Sequence, residues 1–164
     1  MRSKPEDQIG GKQVLLQLLD EAYSRKAWHG PNLKGSLRGL SALQAQTRPA
    51  PNRHNIWELT VHCAYWKYAV RRRLIGEKRG SFPLKGSNWF SCPGELTEKS
   101  WKETVTLLDE QHALLREAIL KISRALLDSS SVGSPITHLT LIYGIASHDL
   151  YHAGQIQLIK RLTR

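Results

Sequence analysis

An all-α four-helix bundle is the fold class this sequence predicts, and three observations predict it. Four long stretches carry apolar residues at helical three-four spacing, no stretch alternates apolar and polar residues like a half-buried strand, and glycine, proline or capping residues punctuate the intervals. At 164 residues the chain has the size of one ordinary domain and can bury a core without disulfides or a structural metal. A metal-ligating cluster in such a chain therefore points to chemistry rather than to a staple for a small fold.

Residues 1–12 contain Pro5 and Gly10-Gly11 and read as a flexible leader, which leaves 13–164 as a single domain. The first helix is expected from Gln13 to about Trp28, with Val14, Leu15, Leu18, Leu19, Ala22 and Tyr23 at helical spacing and His29-Gly30-Pro31 as its stop. Leu33 to Gln46, with Leu37, Leu40 and Leu43 three apart, reads as a short helix inside a long connection. That crossover is long enough to span the bundle, so a simple up-down-up-down topology is not forced.

The second long helix opens at Asn55-Ile56-Trp57-Glu58, an N-cap asparagine with glutamate three residues on, and runs to about Leu74 before Gly76. Leu59, His62, Trp66 and Ala69 form its inward seam, so His62 is a polar residue on an apolar stripe. From 76 to 96 there are four glycines and two prolines but also Phe82, Trp89 and Phe90. Too irregular for a helix and too aromatic for a disordered linker, this stretch reads as an ordered flap beside a site.

The third helix is expected after Thr97, with Glu98 and Glu103 near its positive end, and runs to about Leu127. Its seam is Trp101, Thr104, Leu108, Gln111, Leu115, Ala118, Ile122 and Ala125. After a polar turn, Ser134-Pro135 offers an N-cap and an N1 proline for the fourth helix, which continues to about Leu162. Its seam, Leu141, Ile145, His148, His152, Gln155, Ile159 and Leu162, places both histidines and Gln155 toward the core.

His148 and His152, four residues apart, project from one helix face and can approach one cation together. With seven histidines in the chain such a pair alone is weak. Its context strengthens it, because three imidazoles on bundle seams would each lose about 1–3 kcal/mol if left without partners. Hydroxyls or buried water would satisfy them; so would one borderline-soft dication shared by His62, His148 and His152. Three protein ligands leave a metal an open position at which water or a thiolate can be activated. Gln155 shares the ligand face and could orient a bound group; Glu58 is a candidate general base, with its capping role as the competing assignment. Asp149, about 100° round the helix from His148, suits a supporting or interhelix bond. His138 is about 15 Å along the axis from His148, too far to share the ion. His54 and His112 read as surface residues, His29 as a candidate cleft residue, and Cys92 rather than Cys63 as a thiol near substrate.

The net charge is +10, and Lys67, Arg71, Arg72, Arg73, Lys78, Arg79 and Lys85 supply its densest run. Without interleaved exposed aromatics or a DNA-binding motif, the run reads as a solvated basic surface, and nucleic-acid association is the least supported of the functional classes. The two cysteines form no CxxC, no apolar run reaches membrane-spanning length, and the N-terminus is polar. These features point to a reduced, cytoplasmic protein.

Asn55-Ile-Trp-Glu-Leu-Thr-Val-His62 together with His148-Asp-Leu-Tyr-His152-Ala-Gly-Gln155 resembles the DinB-like (damage-inducible) superfamily of metal-binding four-helix bundles. The resemblance spans nearly the whole chain, including the Gly-Ser-Asn-Trp-Phe loop. It implies an up-down-down-up bundle with a divalent metal, commonly zinc or nickel, held by positions that match His62, His148 and His152. It also implies a small-molecule substrate and a homodimer. Relatives include transferases and isomerases that use low-molecular-weight thiols and others grouped as metal-dependent hydrolases; a metal-binding stress or structural protein without catalysis is the alternative. The family's name is no evidence for DNA binding.

Overall fold

Two short polar signals fix the helix that carries the first candidate ligand. Asn55 accepts from the Glu58 backbone N–H while the Glu58 side chain accepts from the Asn55 N–H, closing a capping box at the start of α4 (Ile56–Ile75). Gly76, left-handed at φ 70°, ends it. The computed structural model describes residues 7–92 and 95–163, with the side chains from residue 10 onward. Its elements are α1 (Asp7–Tyr23), α2 (Leu33–Leu37), α3 (Ala42–Gln46), α4, α5 (Glu98–Lys121), α6 (Arg124–Leu127) and α7 (His138–Leu162). Four are long, and among the described residues there is no strand, only the isolated bridges Ser87–Trp89 and Ser130–Thr137.

Several boundaries differ from expectation for local reasons. Helix α1 starts at Asp7, so the last six residues assigned to the leader are helical, while 1–6 lie outside the described residues. It also ends earlier, at Tyr23, and its outer positions Val14 and Leu18 are exposed. The expected helix over 33–46 is two, parted where Gly39 takes φ 73° and opened by separate N-cap side chains, Asn32 and Ser41. Likewise the third long helix stops at Lys121, because Ile122 is extended, and α6 follows as a separate turn that leaves Ala125 exposed. Ser134-Pro135 does not open α7. The Thr137 side chain caps it instead by accepting from Thr140 N–H, while Ser134 accepts from Ile136 N–H in the preceding turn.

Each long helix packs on two others in the cyclic order α1, α7, α4, α5. Cross-helix contacts pair Trp57 with Trp101 and Lys67 with His112 between α4 and α5, Tyr23 with Asp109 and Asp20 with Arg116 between α1 and α5, and His62 with His148 between α4 and α7. The apolar interior falls into two clusters. One gathers Leu33, Ile56, Trp57, Leu59, Leu108 and Ile156; the other gathers Leu19, Val70, Leu115, Ile119, Ile142 and Ile145. Along α4 and α7 the level between them is polar: His62, Lys67, Asp149 and His152 are all buried there. The bundle thus carries a belt of buried polar groups between two apolar halves, and such groups persist only where they satisfy one another or a ligand.

Candidate metal centre

The three predicted ligands converge. His62 Nε2 lies 3.1 Å from His148 Nε2, which lies 3.1 Å from His152 Nε2, and one nitrogen of each falls within 4.8 Å of the others. His62 and His152 are buried and His148 is half-buried.

Proton placement shows why this arrangement suits a cation. His62 Nδ1 faces the Asn88 carbonyl oxygen at 2.8 Å, and His152 Nδ1 faces Gln155 Oε1 at 2.7 Å. Both oxygens only accept, so both Nδ1 atoms carry the ring hydrogen and both Nε2 atoms present lone pairs. A neutral His148 has one hydrogen and can serve only one of those lone pairs through its own Nε2. Its Nδ1 is buried with no hydrogen-bond partner among the described residues. A dication at the three Nε2 atoms would resolve the conflict, with His148 protonated at Nδ1. Spacing agrees as well: nitrogens at the usual zinc distance in a tetrahedral shell are about 3.3 Å apart.

Burial keeps the donors neutral. It pushes His148 down to about 3, helped by the His152, His62 and Lys67 charges, and His152 down to about 4, against the Gln155 hydrogen bond. His62 is lowered by burial too, with its bond to Asn88 opposing. Away from the ligands, burial, Lys67 and Arg116 take His112 to about 3. In the metal-free unfolded chain these four rings protonate as pH falls through about 6.5. The unfolded state therefore binds more protons between about 6.5 and 4 at His112, His148 and His152, and native stability must fall as pH falls across that window, by on the order of 1.4 kcal/mol per unit for each of those three rings; His62 acts in the same direction. Asp149, raised to about 6 by burial against Lys67, works the other way as one group against His112, His148 and His152. Urea midpoints of metal-free protein should drop between pH 7.5 and 5; an unchanged midpoint would mean that the rings are not held neutral.

The 76–96 stretch supplies the support expected of a flap. Asn88 adopts φ 63°, a left-handed conformation asparagine tolerates, and so turns its carbonyl to His62 and its side-chain oxygen to Trp66 Nε1 at 3.0 Å. Trp89 stacks on His62 at 3.9 Å and on His54 at 3.7 Å, forming a three-ring pile. Phe82 and Phe90 pack with Tyr65 and anchor the loop.

Both ends of the Gln155 amide are engaged away from the three Nε2 atoms: Oε1 binds His152 Nδ1 and Nε2 donates to Tyr151 Oη at 3.0 Å. Glu58 keeps its capping role and adds Arg48 and His54 as partners. Burial favours its protonation, but Arg48, His54 and the Asn55 N–H together leave its pKa below the ordinary range, which makes it a weak base. Asp149 makes the interhelix bond, to Lys67; both are completely buried. Lys67 is thus no part of the basic surface to which its neighbours suggested it belonged. His112 is likewise buried, not on the surface, with its ring on Tyr23 at 3.8 Å and Nδ1 accepting from Lys67 Nζ at 3.5 Å. His54 and His29 are exposed, and His138 is bound to the Leu126 carbonyl at 2.8 Å, away from the ligands. Cys92 bonds with Asn55 at the α4 cap, and burial raises its thiol pKa against that bond. Asn88 is the supporting residue that sequence reasoning missed; only its place in a loop read as a flap beside the site hinted at it.

The family model of the DinB superfamily matches residues 27–156. The chain belongs to that superfamily. The match takes in α4, α5 and the part of α7 that carries both histidines. A crystal structure of a conserved protein from Enterococcus faecalis has a similar fold, with a TM-score of 0.67 at 18% identity, covering 93% of this chain and 96% of that one. No curated protein matches the chain. Among the described residues no helix is long and apolar enough to cross a membrane.

Proposed function

We propose that His62, His148 and His152 hold a divalent metal, zinc or nickel, in an enzyme of thiol-dependent S-transferase or hydrolase type acting on a small molecule. The observation that carries this reading is the set of three converging Nε2 atoms, two fixed as lone pairs by bonds at the opposite ring nitrogen. A divalent ion there would supply Lewis acidity, making a thiol or water acidic enough to act as nucleophile near neutral pH. The chain's own part is to orient. Asn88 and Gln155 set the rings of His62 and His152, Lys67 and Asp149 hold α7 in register on α4, and Trp89 shields the His62 face from water. Tyr151, exposed beside Gln155, is available to bind an incoming substrate.

The single domain is read as an up-down-down-up bundle. The contact pairs support this, since residue numbers rise together between α4 and α5 and oppositely between α1 and α5. A homodimer is part of the same proposal; Tyr143, Leu150, Leu158 and Leu162 leave an exposed apolar stripe on α7 that a second copy would cover. Two free cysteines suit a cytoplasmic setting. One observation favours a non-catalytic, metal-stabilised protein instead: Trp89 already covers one ligand face.

Untagged protein loaded with zinc or nickel separates the two readings. Low-molecular-weight thiols paired with electrophilic acceptors, and esters with water alone, should show turnover that a chelator abolishes and the ion restores. Absence of turnover with every pair in fully loaded protein would leave the non-catalytic reading standing.

A further inference from the structure

We propose that a second, separate site at the opposite end of α4 binds a phosphate monoester carrying a small apolar body. A cleft of about 630 Å³ lies between the last turn of α4 and the loop leading into α7, and Arg72, Arg73, Ser129, Ser130, Ser134 and His138 are among its walls. That volume is in the range of small-molecule sites. Ten residues of α4 separate Arg72 from His62, so the cleft is about 15 Å along the helix from the three histidines and shares no residue with them.

The charges are arranged for an anion. Arg72 and Arg73 both line the cleft and neither has an acidic partner among the described residues; the carboxylate of Glu77, which also lines it, is bound by Arg71 at 2.9 Å and by Ser81. Two cations against one acid leave the lining with one net positive charge, and the acid is already occupied. Arg72 makes one long bond, 3.3 Å, to the Glu77 carbonyl, while its Nε is buried with no partner. Cations in the last turn of a helix complement its negative end, which explains a basic residue here. It does not explain two guanidiniums beside a cleft walled by serine hydroxyls. The N-terminal end of α7, a helix of 25 residues, meets the same cleft and adds its positive end.

The wall is built rather than loose. Ser131 Oγ bonds the Arg73 carbonyl at 3.2 Å and lies 3.2 Å from His138 Nε2; Ser134 N–H donates to the Ser131 carbonyl at 3.0 Å. The serine turn is thereby fixed against the arginine-bearing end of α4. At the rim Leu126, Val132 and Ile136 are exposed. Ser129 and Ser131 already donate to the Leu126 and Arg73 carbonyls, so an oxyanion would be held by the guanidiniums and the Ser130 and Ser134 hydroxyls, leaving its organic group against those three apolar side chains.

Calorimetric titration of the full chain with phenyl phosphate and with inorganic phosphate tests this. Saturable binding at one site per chain is expected, with phenyl phosphate the tighter ligand by several-fold. Arg72→Gln combined with Arg73→Gln should weaken it at least tenfold, and Ser130→Trp, at an exposed wall position, should block it. Both variants should keep the helical circular-dichroism spectrum and the melting temperature of the parent, which reports that the bundle still folds. Failure of either phosphate to saturate the parent, or unchanged affinity in both variants, would overturn the proposal. So would displacement of phenyl phosphate by an oligonucleotide with steep salt dependence, since the charges would then serve a nucleic-acid backbone. Loss of the metal site would alter none of these readouts, so the two proposals fail independently.

Discussion

His148→Ala is expected to leave the purified protein without stoichiometric metal and to abolish the effect of chelators on its melting temperature. His148 is the central donor: its Nε2 is 3.1 Å from that of His62 and 3.1 Å from that of His152. Without it two imidazoles remain on different helices, and two ligands hold a borderline-soft ion far more weakly than three. An ion present at a thousand times its dissociation constant stabilises the native state by about 4 kcal/mol, so the parent should melt well above its chelated form. His138→Ala is the matched control, because His138 is buried on the same helix but bound to Leu126 and the 129–131 serines. Elemental analysis of untagged proteins, with melting curves before and after chelation, makes the comparison. Equal metal content in His148→Ala and the parent would remove the three-histidine site.

The convergence of His62, His148 and His152 was legible because its determinants are local and periodic. His62 follows a capping box that fixes where α4 begins, and His148 and His152 occupy successive inward positions of α7, so phase alone places all three. The support around them was only partly legible. Lys67 sits in a run of basic residues and resembled a solvated face, although Cys63, Lys67, Val70 and Leu74 at four-three-four spacing are all buried. His112 was hidden in the same way beside Gln111, although His112 and Ile119 join Leu108 and Leu115 of the expected seam in a wider buried face. A wide inward face holds two seams, and reading only one sends the other's polar members to the surface. Helix ends were lost for another reason: Ser134-Pro135 and Thr137 are both acceptable starts, and the contacts of the 128–137 turn with α4 and α7 decide between them. The role of Asn88 depends on a long loop folding back, which no local pattern encodes.

The buried Lys67–Asp149 pair carries the largest expected effect on stability. Both side chains are completely buried, and Asp149 Oδ1 has no partner among the described residues, so the pair depends on a single contact from the Lys67 ammonium. Lys67→Met leaves a carboxylate in the interior without its cation and should cost about 3–5 kcal/mol; Asp149→Leu leaves the buried ammonium without its counter-charge, with the long 3.5 Å bond to His112 remaining, and should cost about as much. Replacing both removes two desolvated charges together, so Lys67→Met with Asp149→Leu should recover most of that loss, giving a large coupling in a double-mutant cycle read by urea denaturation. The pH dependence fixes the sign independently. Burial raises the Asp149 carboxyl to about 6 while Lys67 holds it down. In Lys67→Met that restraint is gone and the folded-state pKa rises further. Between 3.8 and that raised value the native state binds more protons than the unfolded one, so the variant's stability must fall as pH rises through the window. Its deficit should accordingly be smaller at pH 5 than at pH 8. Because Asp149 follows His148 directly, loss of the pair also frees the register of α7 on α4, and Lys67→Met should bind zinc more weakly although it is no ligand. Single variants costing under about 1 kcal/mol, adding without coupling and leaving zinc affinity intact, would show that the ion pair neither stabilises the bundle nor positions the histidines.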